Sequence, residues 1–502
     1  MKPFLVPCGN LFIVRLQRKI NCIYSKDIMN ITESHIDKNN NKTTSASCNA
    51  CKQCAPLGAC IAFKGIEGML PMLHGSQGCA TYIRRYLISH FREPMDIASS
   101  NFSEETTIFG GNRNFNDGID NIISQYHPAV IAIASTCLSE TIGEDVQRLI
   151  YEYKSTHGNE SDLPEMIFAS TPSYQGTHLE GFHEAVFAAI KALSENAGSV
   201  GNHINFFCNM ISPEDIRHLK EIVEDFAVQT MIFPDYSDTL DSTSWDNYHR
   251  IPEGGTPIAA LKRSGSAYAS VELGYILNSG GMNGRIKENA VKQSAGEYLK
   301  SKFAVPLVRV GLPIGLIETD RFFDHLSRIS GQPTPQKYKQ QRGRLIDLYI
   351  DGHKYVSGKR VVIYGEEDLV VALAAFAAEI GIKPMLCASG GESGKLQETL
   401  KIVLGDLYPG DMIVGQGFSF DQMEESMRDL NPDLMIGNSK GYYIARKMDI
   451  PLIRTGFPIH DRIGAQHTRT LGYEGTTILF EQIVNALLED KQRKSPIGYK
   501  YM

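Results

Sequence analysis

The chain has 502 residues, 42% of them hydrophobic and 21% charged, with a formal net charge of −7. No basic stripe suggests nucleic acid, no apolar run is long enough to span a bilayer, and ten cysteines without a secretory signal do not make a disulfide scaffold. At about 150 residues per domain, roughly three soluble domains in a reducing cytoplasm are expected.

Residues 1–47 read as a disordered or mis-started extension. Pro7, Gly9 and Asn10 break any would-be signal core, and Asn30 to Ser47 is polar. Met29 is a candidate start, with an N-terminal arm wrapping a partner as the alternative, and Cys8 and Cys22 are given no role. From Cys48 the chain alternates strand-like and helix-like runs. A first α/β domain is expected over 48–200, a second over 201–344, and a third with a C-terminal helix over 345–502.

In the first domain Phe115, Ile119, Ile122, Ile123 and Tyr126 share one helical face. The β-branched run Ala129 to Ala134 then reads as a buried parallel strand, with Cys137 directly after it. A helix is expected from near Thr141, a strand over Glu165–Ser170 ended by Thr171-Pro-Ser173, and a helix over His178–Leu193. The second domain has strands at Asn205–Cys208 and Thr230–Phe233. Between them a helix opens at Ser212-Pro-Glu-Asp215, where a capping hydroxyl, an N1 proline and acids complement the helix dipole. Gln332 to Arg344 is polar and basic and reads as a boundary. Five strand runs follow, at Arg360–Tyr364, Pro384–Cys387, Asp411–Val414, Asp433–Ile436 and Pro451–Arg454. The fold class is therefore α/β, with three Rossmann-like doubly wound domains and mostly parallel sheets.

In such sheets ligands bind beyond the carboxyl ends of the strands. Cys54 begins Cys-Ala-Pro-Leu-Gly-Ala, Cys79 closes His74-Gly75-Ser-Gln-Gly78-Cys, and Cys137 lies in Ser-Thr-Cys-Leu-Ser-Glu. Thiolates are the ligands iron–sulfur clusters prefer, and glycines let a backbone approach one closely. Gly75 and Gly78 are read as turn formers, and with Gly58 as donors of N–H groups to a cluster. His74 either tunes such a cluster or is an ordinary structural histidine. Glu144 and Asp145 are given a helix-start role, and His178 and His183 none as metal ligands. Cys208 and Cys387 lie within strands and are read as core. Cys48, Cys51 and Cys60 form with Cys54 a run whose last spacing is wrong for a ferredoxin site, and are read as incidental.

Nine motifs in order carry a resemblance: Pro56-Leu-Gly-Ala, His74 to Cys79, His90-Phe-Arg-Glu-Pro94, Phe109-Gly-Gly111, Ser135-Thr-Cys137, Thr171-Pro-Ser173, Gly437-Asn-Ser-Lys-Gly441, Gly456-Phe-Pro-Ile459 and Leu471-Gly-Tyr-Glu-Gly475. From Cys48 onward the chain resembles β-type subunits of the nitrogenase component 1 family. The resemblance implies pairing with a homologous α-type subunit in an α2β2 assembly, an iron–sulfur cluster at their interface, and electron delivery by the ATP-driven Fe protein near Phe109. Cys54, Cys79, Cys137 and Ser173 match the metal-ligand positions.

Within the family, the ending Pro496–Met502, the lack of a histidine run after Gly456–Arg462 and the stretch Thr171–Phe182 favour the NifN type. That type is a scaffold for assembling the iron–molybdenum cofactor and is not itself an enzyme. It implies a NifE-type partner holding most of the cofactor precursor, a NifB-type precursor donor, and an interfacial 4Fe-4S cluster with Cys79 as ligand. The alternative is the NifK type, a catalytic β subunit carrying half of a P-cluster, and the complete ligand set points that way. An iron-free partner in which the cysteines only pack is the third reading.

Overall fold

In the computed structural model, residues 52–157, 163–196, 198–244, 247, 249–276 and 293–497 are described. The calls on the N-terminal extension, on Cys48 and Cys51, and on the ending beyond residue 497 lie outside them. Among the described residues no helix is long and apolar enough to cross a membrane.

Three parallel sheets follow one another along the chain, as the alternating pattern predicts. Helix α1 (Ala55–Phe63) leads into β1 (Met69–His74), α2 (Gln77–Phe91), β2 (Ala98–Ser99), α3 (Glu104–Phe109) and α4 (Asn112–Tyr126). Then come β3 (Val130–Ser135), α5 (Cys137–Ile142), α6 (Val146–His157), β4 (Glu165–Ala169) and α7 (His178–Leu193). The strands stand in the order β2-β1-β3-β4, with His74 opposite Ser135 and Ala134 opposite Ala169. All six residues of β1 and of β3 are buried, which their near-continuous apolar sequence requires of strands covered on both faces. On α4, Phe115, Ile119 and Ile122 face this sheet, and burying each contributes about 2 kcal/mol. The helix expected near Thr141 is two helices, because Gly143 takes a left-handed φ of 80° and ends α5.

The second sheet has β5 (His203–Phe207), β6 (Gln229–Phe233), β7 (Ala269–Leu273) and β8 (Leu307–Val310) in the order β6-β5-β7-β8. Helix α8 (Pro213–Asp225) starts as its sequence predicts, with Ser212 Oγ accepting from the Asp215 N–H at 2.9 Å. Two further helices precede the third sheet, α9 (Leu316–Ser330) and α10 (Gln336–Val356). The polar stretch 332–344 thus becomes helical from Gln336, because Tyr338 and Leu345 carry a buried face through it. The third sheet contains β9 (Arg360–Tyr364), β10 (Lys383–Ala388), β11 (Ile413–Gly415), β12 (Leu434–Gly437) and β13 (Leu452–Arg454), ordered β11-β10-β9-β12-β13. Helix α11 (Glu367–Glu379) follows β9, and the long α12 (Gly472–Lys494) packs along α10. Cys208 and Cys387 lie in the core, as does Cys60 on α1.

Buried carboxylates join the sheets. Asp215 accepts the N–H groups of Thr470 and Leu471 at 2.8 and 3.0 Å, and Asp368 accepts those of Tyr275 and Ile276 at 2.7 and 2.9 Å. Glu379 accepts those of Leu316 and Ile317 at 2.7 and 2.9 Å, at the start of α9. Glu367 is less well supplied, with one N–H from Ser393 at 3.3 Å. Burial pushes its carboxyl up to about 7, and the nearby Glu180 and Asp368 add to the rise.

A carboxyl whose folded pKa lies above its unfolded value holds an extra proton in the folded state. Its contribution is complete below the unfolded value of 4.5 and is lost as pH rises through about 7. Glu367→Gln is therefore expected to flatten the fall in stability between those pH values, by about 3 kcal/mol across the window. Thermal unfolding of both proteins across that range checks this, and parallel curves would refute it.

Candidate metal centre

Three adjacent strands of the first sheet end at one edge, and each hands the chain to a loop carrying a predicted ligand. After β1 come Gly75 and Cys79, after β3 comes Cys137, and after β4 comes Ser173. Cys54 arrives from elsewhere in the sequence. It precedes α1, which packs tightly along α7, and it forms an isolated antiparallel bridge with Thr177.

Hydrogen bonds join these positions. The Ser173 N–H donates to Cys137 Sγ at 3.2 Å, and Ser173 Oγ accepts from the Ala55 N–H at 3.2 Å. Ser173 therefore links the Cys54 segment to the Cys137 loop. The Ser76 hydroxyl donates to Cys79 Sγ at 3.5 Å. Cys79 and Cys137 are exposed and Cys54 is half-buried. Among the described residues no three metal-ligating side chains close on a single ion. In an iron–sulfur cluster each thiolate ligates its own iron, so cysteines brought from separate segments to one end of a sheet suit such a group.

All three cysteines sit at helix amino ends, which sequence reasoning did not anticipate. Cys54 is the N-cap of α1, Cys79 lies in the first turn of α2, and Cys137 is the first residue of α5. Helix starts carry unpaired N–H groups and a partial positive charge, which favour thiolates and anionic clusters. The available signals were Pro56 at the start of α1 and the Ser76 and Thr136 caps. Burial, followed by the neighbouring Cys79 and Cys137, pushes the Cys54 thiol up to about 11. A thiol held protonated by burial gives up its proton when a cationic metal binds it, so Cys54 suits an iron–sulfur group.

A polar frame holds the strand ends. Thr136 Oγ1 donates to the His74 carbonyl at 3.0 Å, and Gly75 N–H donates to Ser100 Oγ at 2.9 Å. Glu140, also missed from the sequence, takes the Ser135 and Ser170 hydroxyls at 2.5 Å each. The Ser-Thr-x-x-Ser-Glu spacing that places it was visible as a helix-start pattern. His178 also contributes, accepting the Gln53 N–H at Nδ1 (3.2 Å) and meeting Glu366 at Nε2 (2.9 Å). It therefore braces the residue before Cys54 against the third sheet.

Several expected roles change. Gly78 lies within α2 and forms no turn, and a β-carbon there would meet only Ser76 Oγ at 3.9 Å. Gly75 is needed because a β-carbon would strike the Thr136 side chain. Gly58 is not a cluster donor. It is buried in α1, where a β-carbon would overlap the His178 carbonyl, and Gly181 meets the Ala55 carbonyl in the same way. The His74 ring is directed into the core between Phe102 and Phe115, with Nε2 3.4 Å from Glu144. Phe109 ends α3 and is 82% exposed beside Ile108 at 74%.

The family model for nitrogenase component 1 type oxidoreductases matches residues 54–488. The chain belongs to the nitrogenase component 1 family. It is 35% identical over 450 residues to the nitrogenase molybdenum-iron protein beta chain of Clostridium pasteurianum, covering 89% of this chain and 94% of that one. The namesake chain of Azotobacter vinelandii is 32% identical over 456 residues, covering 88% of this chain and 84% of its own length. Among solved structures, one titled nitrogenase Cp1 at pH 6.5 superposes with a TM-score of 0.86 at 33% identity, over 92% of this chain and 98% of that chain.

These names overturn the expectation of a NifN-type scaffold, since the relatives are beta chains of the molybdenum-iron protein. The features that favoured the scaffold were short stretches, and two of them, Thr171–Phe182 and Gly456–Arg462, carry buried residues such as Phe182 and Phe457 whose packing both kinds of chain require. The NifE-type partner, the NifB-type donor and the shared 4Fe-4S cluster rested on the scaffold reading and lose their basis with it.

Proposed function

We propose that this chain is the β subunit of a molybdenum–iron nitrogenase. It pairs with an α-type subunit in an α2β2 assembly and supplies Cys54, Cys79, Cys137 and Ser173 to its half of an interfacial P-cluster. The observation that supports this most is the position of Ser173, hydrogen-bonded at once to Cys137 Sγ and to the residue after Cys54. When bound, the cluster relays electrons.

The chain's own residues prepare its place. Each of the three cysteines belongs to the start of a helix, where backbone N–H groups lack intrahelical partners. Cys79 and Cys137 are exposed, which leaves them accessible to a cluster shared with an α-type subunit. Ile108 and Phe109 present an apolar tip suited to docking the Fe protein.

The test is anaerobic co-purification with the α-type subunit, followed by iron counting and EPR. Twice the iron of a single 4Fe-4S cluster at the interface, EPR-silent with dithionite and giving new signals on oxidation, is expected. A reduced S = 1/2 signal from one 4Fe-4S cluster, or no iron at all, would refute the proposal.

A further inference from the structure

We propose that Glu144 is a positioning residue that fixes the Ile108–Phe109 tip relative to the cysteine loops, so that docking and cluster stay in register. The inference rests on the reading of that tip as the Fe protein's docking surface.

Gly111 is the N-cap of helix α4 and makes no side-chain cap bond. Glu144 holds this residue from another loop, with Oε1 accepting the Gly111 N–H at 2.8 Å. The approach is close enough that a β-carbon on Gly110, where φ is 92°, would stand 3.3 Å from the same oxygen. The carboxylate therefore binds Gly111 and passes close to Gly110, the two glycines that follow Phe109.

The other end of Glu144 belongs to the cluster loops. Its backbone N–H donates to the Ser139 carbonyl at 3.0 Å, which anchors it to α5, the helix that Cys137 begins. Its Oε2 lies 3.4 Å from Nε2 of His74, the last residue of β1 before the Cys79 loop. The His74 ring stands edge-on to Phe102 at 4.8 Å and to Phe115 at 5.4 Å, so it cannot turn away without disturbing α4. Burial disfavours the charged imidazole, leaving Nε2–H to donate to the carboxylate. Thr136 closes the frame by donating to the His74 carbonyl. One carboxylate thus connects the docking tip to the loops of both Cys79 and Cys137. The helix-start role read for it from sequence falls to Asp145, whose Oδ1 accepts the Arg148 N–H at 3.0 Å.

The experiment uses the complete α2β2 protein with Fe protein, measuring turnover against Fe protein concentration and the EPR of the oxidised cluster. Glu144→Ala is expected to raise the apparent KM for Fe protein about tenfold, the equivalent of one charge-assisted hydrogen bond, with iron content and EPR unchanged. Glu144→Gln, which keeps an acceptor for Gly111, should restore most of the affinity. If the alanine variant fails to assemble, Glu144→Asp, which keeps the charge but shortens the reach, should give the same rise with an intact cluster.

An unchanged KM, or loss of cluster signals in step with turnover, would overturn the assignment. Phe109→Ala in the same assay separates the two readings. If it leaves the Fe protein dependence intact, the docking surface lies elsewhere and the proposal falls for that reason.

Discussion

Replacing Cys79 with alanine is expected to remove most of the iron from the co-purified complex and to lower Fe-protein-driven turnover by more than about a hundredfold, beyond the cost of losing an outer-shell partner. Cys79 is exposed in the first turn of α2, with Ser76 as the hydrogen-bond partner of its sulfur. No hydrophobic contact depends on it, so the folded chain should tolerate the change. Cys387→Ala gives the contrast. That thiol is fully buried, and truncating it should cost about 1 kcal/mol of stability while leaving the iron in place. Iron content and thermal midpoint, read together, separate the two roles. If both variants keep wild-type iron, the cysteines only pack and the cluster reading is wrong.

The second large effect is steric. Gly58→Ala is expected to destabilise the protein by more than about 4 kcal/mol, because neither α1 nor α7 can yield without the other. The new β-carbon would overlap the His178 carbonyl, and Gly181 faces the Ala55 carbonyl from the opposite side. Separating these helices would also pull the Ala55 N–H from Ser173 and Gln53 from His178, loosening Cys54. Gly78→Ala is the control. It lies at a helical position with open space around it, so stability should hold or rise by about 0.5–1 kcal/mol. Denaturant unfolding of the two variants gives the comparison, and a Gly58→Ala loss below about 1 kcal/mol would mean that the helices can part freely.

The alternation of β-branched runs with amphipathic helices carried the fold, because sheets buried on both faces need continuous apolar strands and these stand out in any sequence. The candidate positions Cys79, Cys137 and Ser173 stood out for a related reason, since each follows a strand and strand ends are where such sheets bind ligands. Cys54 was marked instead by its motif and by the family resemblance. The supporting residues did not stand out. Glu144 and His178 act through partners distant in sequence, as Glu140 does through Ser170, so local spacing does not reveal what they hold. Gly58 misled because glycine beside a cysteine suggests a loop, while its actual neighbour is a carbonyl on a helix more than a hundred residues away. Choosing between family members from the ending, the missing histidine run and Thr171–Phe182 failed, while the complete ligand set that pointed to the other type agrees with the relatives' names.

The hydrogen bond between the Ala55 N–H and Ser173 Oγ has one more implication under the proposed reading. It uses the serine oxygen only as an acceptor, leaving the hydroxyl proton uncommitted to Ala55. Were that proton to leave, the same N–H would face an alkoxide and bind it more tightly, since hydrogen bonds to ionised acceptors are roughly twice as strong as neutral ones. Under that reading an ionised Ser173 would keep the same contact, with a backbone amide offsetting part of the new negative charge.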